Sequence, residues 1–105
     1  MTRKPIIRRA AADGDVEAIV DHYLAVGGAP VALRFVDALE EALLHLSLHA
    51  ATGSPRYAQS LNLPGLRSWP LTGFPQLVFY FEKPAEVEVW RVLHGRMDIA
   101  DLLSG

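Results

Sequence analysis

The sequence predicts a single α+β domain, a helical hairpin packed on a mostly antiparallel sheet in the order β-α-α-β-β-β with a terminal helical segment. Two observations carry this. Residues 15–48 hold apolar side chains at helical spacing on either side of a Gly-Gly pair, and residues 66–94 hold three apolar runs with short, turn-rich links. A chain of 105 residues suits one domain with one modest core.

In order, "KPIIRR" (4–9) has a β-branched centre and reads as a first strand. "AADGDV" then offers a turn and a helix start, with Asp13 or its neighbour as N-cap. Val16, Ile19, Val20, Tyr23 and Leu24 fall on one helical face, and Gly27-Gly28 stops that helix. Pro30 suits the first turn of a second helix, whose stripe is Ala32, Phe35, Val36, Leu39, Leu43 and Leu46, opposite Asp37, Glu40 and Glu41. Residues 49–65, punctuated by Gly53, Pro55, Asn62 and Pro64, read as a loop.

The strands then follow as "LRSWPL" (66–71), "QLVFYFE" (76–82) and "VEVWRVLH" (87–94), linked by "TGFP" and "KPAE" into a meander. Pro70 argues that the first ends early or lies at an edge. Alternation sends Phe79 and Phe81 one way and Tyr80 the other. In the last strand it sends Val87, Val89, Arg91 and Leu93 one way and Glu88, Trp90, Val92 and His94 the other. With both faces apolar, that strand is expected at the sheet centre, under helices on one side and other cover on the second. Asp98 to Leu103 is a short terminal helix at most.

Composition narrows the function classes. Half the residues are hydrophobic, and the mean hydropathy is +0.17. So small a domain has too little interior to hide that surface, which predicts an exposed apolar groove covered by a partner. A net charge of −2 argues against a broad nucleic-acid footprint, although Arg3, Lys4, Arg8 and Arg9 make the start of the chain basic. The absence of cysteine excludes disulfides, thiolate metal sites and cysteine nucleophiles. No apolar h-region follows the N-terminal charges, and no apolar run approaches a membrane span, so a cytoplasmic domain is expected.

Three constellations bear on chemistry. His45 and His49, at i and i+4, share a helix side but have no evident third ligand. Histidines in a last helical turn also complement the dipole, so no metal is assigned. The chain has neither a Gly-x-Ser-x-Gly elbow nor a phosphate loop. Aromatics in paired strands read as packing rather than a nucleic-acid stacking platform, since no basic stripe accompanies them. The third constellation is Arg67, Arg91, His94 and Arg96, where arginines would hold a phosphodiester while His94 moves a proton. In a meander the first and third strands run parallel, so Arg67 and His94 fall at opposite ends. The alternative is that "HGR" is a polar turn.

"AADGDVEAIVDHY", "APVALRFVDALEEAL", "GLRSWPLTGFPQLVFYF" and "VEVWRVLHGRMDIADLL" together resemble the ParE branch of the RelE/ParE toxin superfamily over nearly the whole chain. The resemblance implies a toxin of a bacterial type II toxin–antitoxin pair, confined to the cytoplasm and needing no cofactor. Its implied partner is a ParD-like ribbon-helix-helix antitoxin in a hetero-oligomer, which alone would touch DNA. Its implied target is DNA gyrase, inhibited by protein contact rather than catalysis.

The RelE branch instead cuts ribosome-bound mRNA, and here would use Arg67, Arg91 and His94. Those relatives bring more lysines and often a late tyrosine, whereas this chain has only Lys4 and Lys83 and no tyrosine after Tyr80. Met97 and Phe81 also replace arginines common in ParE relatives. For target contact the expected residues are His94, Arg96, Met97, Asp98 and Ile99. For the antitoxin they are Val20, Tyr23, Leu24, Phe35, Leu39 and Trp90.

Overall fold

The computed structural model describes residues 3–96 and Ile99. Its elements are β1 (Ile6–Arg8), α1 (Ala10–Leu48), a 3-10 turn (Ala50–Thr52), α2 (Arg56–Ser60), β2 (Leu66–Pro70), β3 (Gln76–Glu82) and β4 (Val87–His94). α1 is formally one helix, but Gly28 breaks it with φ 76° and ψ −178°. A backbone in that region is open essentially to glycine alone. The chain folds back there: the rings of Tyr23 and Phe35 lie 5.6 Å apart, whereas 12 residues of straight helix would separate them by about 18 Å. The predicted hairpin is therefore present, with arms 10–27 and 29–48 and Pro30 in the first turn of the second. α1 is long and apolar enough in composition to cross a membrane, but Gly28 folds it in two.

The start of α1 differs from expectation. Arg9 is the N-cap and makes no side-chain capping bond. Asp13 sits inside the first turn, where a carboxylate favours the dipole, and pairs with Arg8 at 3.1 Å.

The sheet order is β1-β4-β3-β2, with β1 parallel to β4 and the other pairings antiparallel. β4 is thus interior, and β2, which ends at Pro70, is an edge. One irregularity alters the alternation in β4. Phe79 pairs with Arg91 and Tyr80 with Val89, which leaves Trp90 as a bulged extra residue. The bulge flips the parity beyond it. Val87, Val89 and Val92 face the α1 side, and Leu93 faces the other, so the strict alternation read from the sequence fails after Val89.

Two cores follow. Against the helical hairpin, Val78, Tyr80, Val87, Val89 and Val92 pack on Ala12, Phe35, Leu39, Ala42 and Leu46. On the opposite face, Leu66, Phe79, Leu93 and Ile99 pack with Tyr57, Leu61, Leu63 and Phe81. The second cover is supplied in part by α2, a helix inside the segment that the sequence reads as loop.

Candidate functional site

The arginine–histidine constellation was the sequence's one catalytic candidate, and each member has its own local partner. Arg91 forms a two-pronged ion pair with Asp15: Nε donates to Oδ2 at 2.7 Å and Nη2 donates to Oδ1 at 2.8 Å. Asp15 Oδ2 also accepts the Val92 N–H at 3.0 Å. β1 ends at Arg8, opposite Val89, so Asp15 supplies the acceptor that a longer β1 would have given β4. Both side chains are largely covered, Asp15 to 13% and Arg91 to 23% exposure. The carboxylate bonds raise the Arg91 pKa above its ordinary value, against the opposing effect of burial.

Arg67 turns elsewhere. Its Nη1 donates to the Gly53 carbonyl at 2.7 Å. The same Gly53 donates its N–H to the Tyr80 hydroxyl at 2.9 Å, and that hydroxyl donates to the Ala50 carbonyl at 2.6 Å. Tyr80 is fully buried, and burial pushes its phenol pKa up. A Cβ on Gly53 would collide with the Tyr80 hydroxyl, so glycine is required here for close approach rather than for its φ of −64°.

His94 closes β4. Its Nδ1 accepts the Arg96 N–H at 3.0 Å, while Gly95 N–H donates to the Pro75 carbonyl at 2.9 Å. "HGR" is therefore a turn pinned to the start of β3. Arg67 pairs with Tyr80 and His94 with Gln76, across intervening β3. Four residues along that strand are about 13 Å, and two strand spacings are about 10 Å. Arg67 and His94 do not meet, as the meander geometry anticipated. His94 lines instead a cleft of about 350 Å³ with Asp15, Ile19, His22, Gln76 and Val92.

His45 stacks on Trp69 with centroids 4.2 Å apart, and its Nε2 bonds Thr52 Oγ1 at 2.8 Å. His49 lies 5.3 Å from it, ring to ring. Among the described residues, no three His, Cys, Asp or Glu side chains are grouped to hold a metal.

The family model described as the ParE toxin of the type II toxin-antitoxin system, parDE, matches residues 6–99. The chain belongs to this ParE toxin family. A solved chain from a chromosomal ParDE toxin–antitoxin system of P. aeruginosa is similar at a TM-score of 0.73 and 24% identity, over 88% of this chain and 96% of that one. That likeness establishes the shared fold. None of the curated protein sequences matches this chain. Membership makes the protein a ParE toxin of a ParDE type II system, and it implies a ParD antitoxin as partner.

For this ParE-family toxin, the residues expected at the antitoxin surface divide. Phe35 and Leu39 are 0% and 4% exposed, because their stripe faces the sheet. They are core, which corrects their assignment as contact residues. Val20 and Tyr23 pack partly on that core, and Tyr23 also bonds Gln76. Leu24 is 46% exposed, and Trp90 lies half-buried against Phe81 with the Arg9 guanidinium over its ring. Of the residues expected at the target, His94 and Arg96 form the turn and Ile99 is buried on the α2 side of the sheet. Met97 and Asp98 lie outside the described residues.

The apolar surplus does reach the surface. Leu24, Val26 and Leu33 are exposed around the hairpin bend, and Ile7, Leu44 and Leu48 elsewhere. Sequence reasoning named Leu24 but not Val26 or Leu33, because it treated the stripe as the contact face. It also missed Asp15, although an acid immediately before the first apolar stripe residue was a usable signal.

Proposed function

We propose that this ParE toxin acts in the cytoplasm by protein contact on DNA gyrase, without a cofactor, and is held inactive by a ribbon-helix-helix ParD antitoxin. The observation that carries the choice of a protein target over RNA is the engagement of the two strand arginines. Arg91 is bound to Asp15 and Arg67 to the Gly53 carbonyl. A nuclease of the RelE kind would want both guanidiniums directed at one phosphodiester beside His94. In this reading the "HGR" turn and the segment after it, Met97 and Asp98 included, meet the topoisomerase. The exposed apolar side chains of α1, among them Leu24, take the antitoxin, with Val20, Tyr23 and Trp90 at the margins of its footprint. The antitoxin alone contacts DNA.

The test is induction of the chain in bacterial cells with and without co-expression of a candidate antitoxin, sought as a ribbon-helix-helix protein in the neighbouring reading frames. Growth arrest with replication block, relieved by co-expression, is the expected result. Unimpaired growth would leave only a complex-forming module, and arrest accompanied by mRNA cleavage would favour the ribosome-dependent endoribonuclease.

A further inference from the structure

His45 and His94 differ in the direction of their hydrogen bonds. Thr52 Oγ1 spends its proton on the His49 carbonyl at 2.7 Å, so it accepts the contact with His45 Nε2 at 2.8 Å, and that ring is the donor. A further proton at His45 Nδ1 would leave this bond intact, and the Trp69 ring stacked 4.2 Å away favours a cation. His94 is an acceptor. Its Nδ1 takes the Arg96 N–H at 3.0 Å, and a backbone N–H can only donate, so Nδ1 must keep its lone pair. A proton there abolishes the bond and sets two N–H groups against each other.

The surroundings offer a charged His94 little compensation. Its partner on β3 is Gln76, which is neutral and buried. From α1, Asp15 and His22 line the same cleft. The Asp15 carboxylate is already matched by Arg91 and the Val92 N–H, and His22 brings a second ring that can only add positive charge. On its own strand and turn the charged neighbours are Arg91, held by Asp15, and Arg96. No carboxylate lies within ion-pair distance of His94 among the described residues. Imidazole is also the side chain whose charge ordinarily changes between about pH 5 and 8.

Gly95 is held separately, by its N–H to the Pro75 carbonyl at 2.9 Å. Loss of the Nδ1 bond therefore falls on Arg96 and leaves the end of β4 in place.

We propose that His94 is a positioning residue for target contact, and a proton-sensitive one. The neutral ring closes the "HGR" turn and sets the direction in which the chain leaves β4. A proton at Nδ1 opens the turn and weakens the toxin's hold on its target. This rests on the reading above in which that turn meets the topoisomerase, and it adds how the turn's geometry is controlled. The sign follows: inhibition is strongest where imidazole is neutral and falls as pH drops through its range.

The test titrates the full-length toxin into a gyrase supercoiling reaction at about pH 6 and about pH 8, each normalised to gyrase without toxin. His94→Asn places an amide oxygen where Nδ1 stands and does not titrate. His94→Gln puts its amide near the Nε2 position instead, out of reach of the Arg96 N–H. Wild-type potency should fall by about three- to tenfold at the acid pH, the worth of one hydrogen bond. His94→Asn should be potent at both pH values and His94→Gln weak at both, while His22→Gln and His45→Gln keep the wild-type profile. No acid loss in the wild type, or an equal acid loss in His94→Asn, would overturn the proposal. An NMR titration of the wild-type toxin reads the turn without gyrase: the Arg96 amide resonance should follow the His94 ring as it takes its proton, while the Gly95 amide stays bonded. An Arg96 amide indifferent to the charge of the ring would overturn the proposal whatever gyrase does. Gyrase untouched at every pH, with the Arg96 response present, would instead remove the target reading and leave the turn switch standing.

Discussion

Asp15→Ala is the perturbation that bears most directly on how the hairpin is joined to the sheet. The carboxylate accepts three hydrogen bonds, two from Arg91 and one from the Val92 N–H. Such bonds do not add, because removing one partner mainly exposes the cost of leaving the others unmatched. For a buried charge that cost is about 3–5 kcal/mol. Arg91 retains 23% exposure and so can be partly rehydrated, which puts the expectation near the lower end, about 3 kcal/mol. In a domain of this size that is a fall in Tm of about 12–24 °C. The matched control is Asp13→Ala, which removes an ion pair whose side chains are 44% and 51% exposed and should cost at most about 1 kcal/mol. Urea unfolding followed by circular dichroism, with Arg91→Ala and the double variant to complete the cycle, measures both. A loss at Asp15 within error of that at Asp13 would refute the claim that the Asp15–Arg91 pair joins the hairpin to the sheet.

The remaining predictions concern the cores and their titrating groups. Tyr80→Phe orphans the Gly53 N–H and the Ala50 C=O and should cost about 2–4 kcal/mol in the same unfolding assay; Gly53→Ala should destabilise comparably or more through its collision with the Tyr80 hydroxyl. Because burial raises the Tyr80 pKa, its contribution should be intact below the unfolded phenol value and lost as pH rises through the folded one, and Tyr80→Phe should remove this alkaline limb. Glu88 has its carboxyl held below the ordinary value, chiefly by the Trp90 indole N–H and then by Lys83. Its contribution should be present above the unfolded value and fade as pH falls through the folded one, and Glu88→Gln should flatten that limb in a pH series of unfolding curves. Gly28→Ala forces a side chain into φ 76° and should cost about 1–3 kcal/mol, read as a lower urea midpoint.

Elements with a repeated signal were legible in the sequence. β3 and β4 span the expected residues 76–82 and 87–94, because apolar runs bounded by Pro and Gly leave little freedom in placing their ends. The hairpin was legible because its bend needs glycine. What escaped was set by tertiary contacts. α2 has five residues and no apolar period of its own, and it is held by its Tyr57 packing edge-on against Phe79. The Trp90 bulge appears only when β4 is aligned on β3, and it alone decides that Val92 rather than Leu93 faces the helices. The helix stripe was identified correctly, but periodicity cannot say whether an apolar face meets its own sheet or a partner. Phe35 and Leu39 went to the sheet. In the candidate site, strand order separated Arg67 from His94, while the acceptors that hold the arginines, Asp15 and Gly53, lie far away in sequence.

The central claim is that this toxin acts on a topoisomerase by contact. The most direct measurement is a purified gyrase reaction on relaxed plasmid, titrated with the toxin and again with the toxin pre-bound to its antitoxin. A ribosome-programmed mRNA cleavage assay runs in parallel on the same preparation. The account predicts loss of supercoiling or accumulation of cleaved plasmid with toxin alone, reversal by the antitoxin, and intact mRNA. Unaffected gyrase with mRNA cut on the ribosome would contradict it.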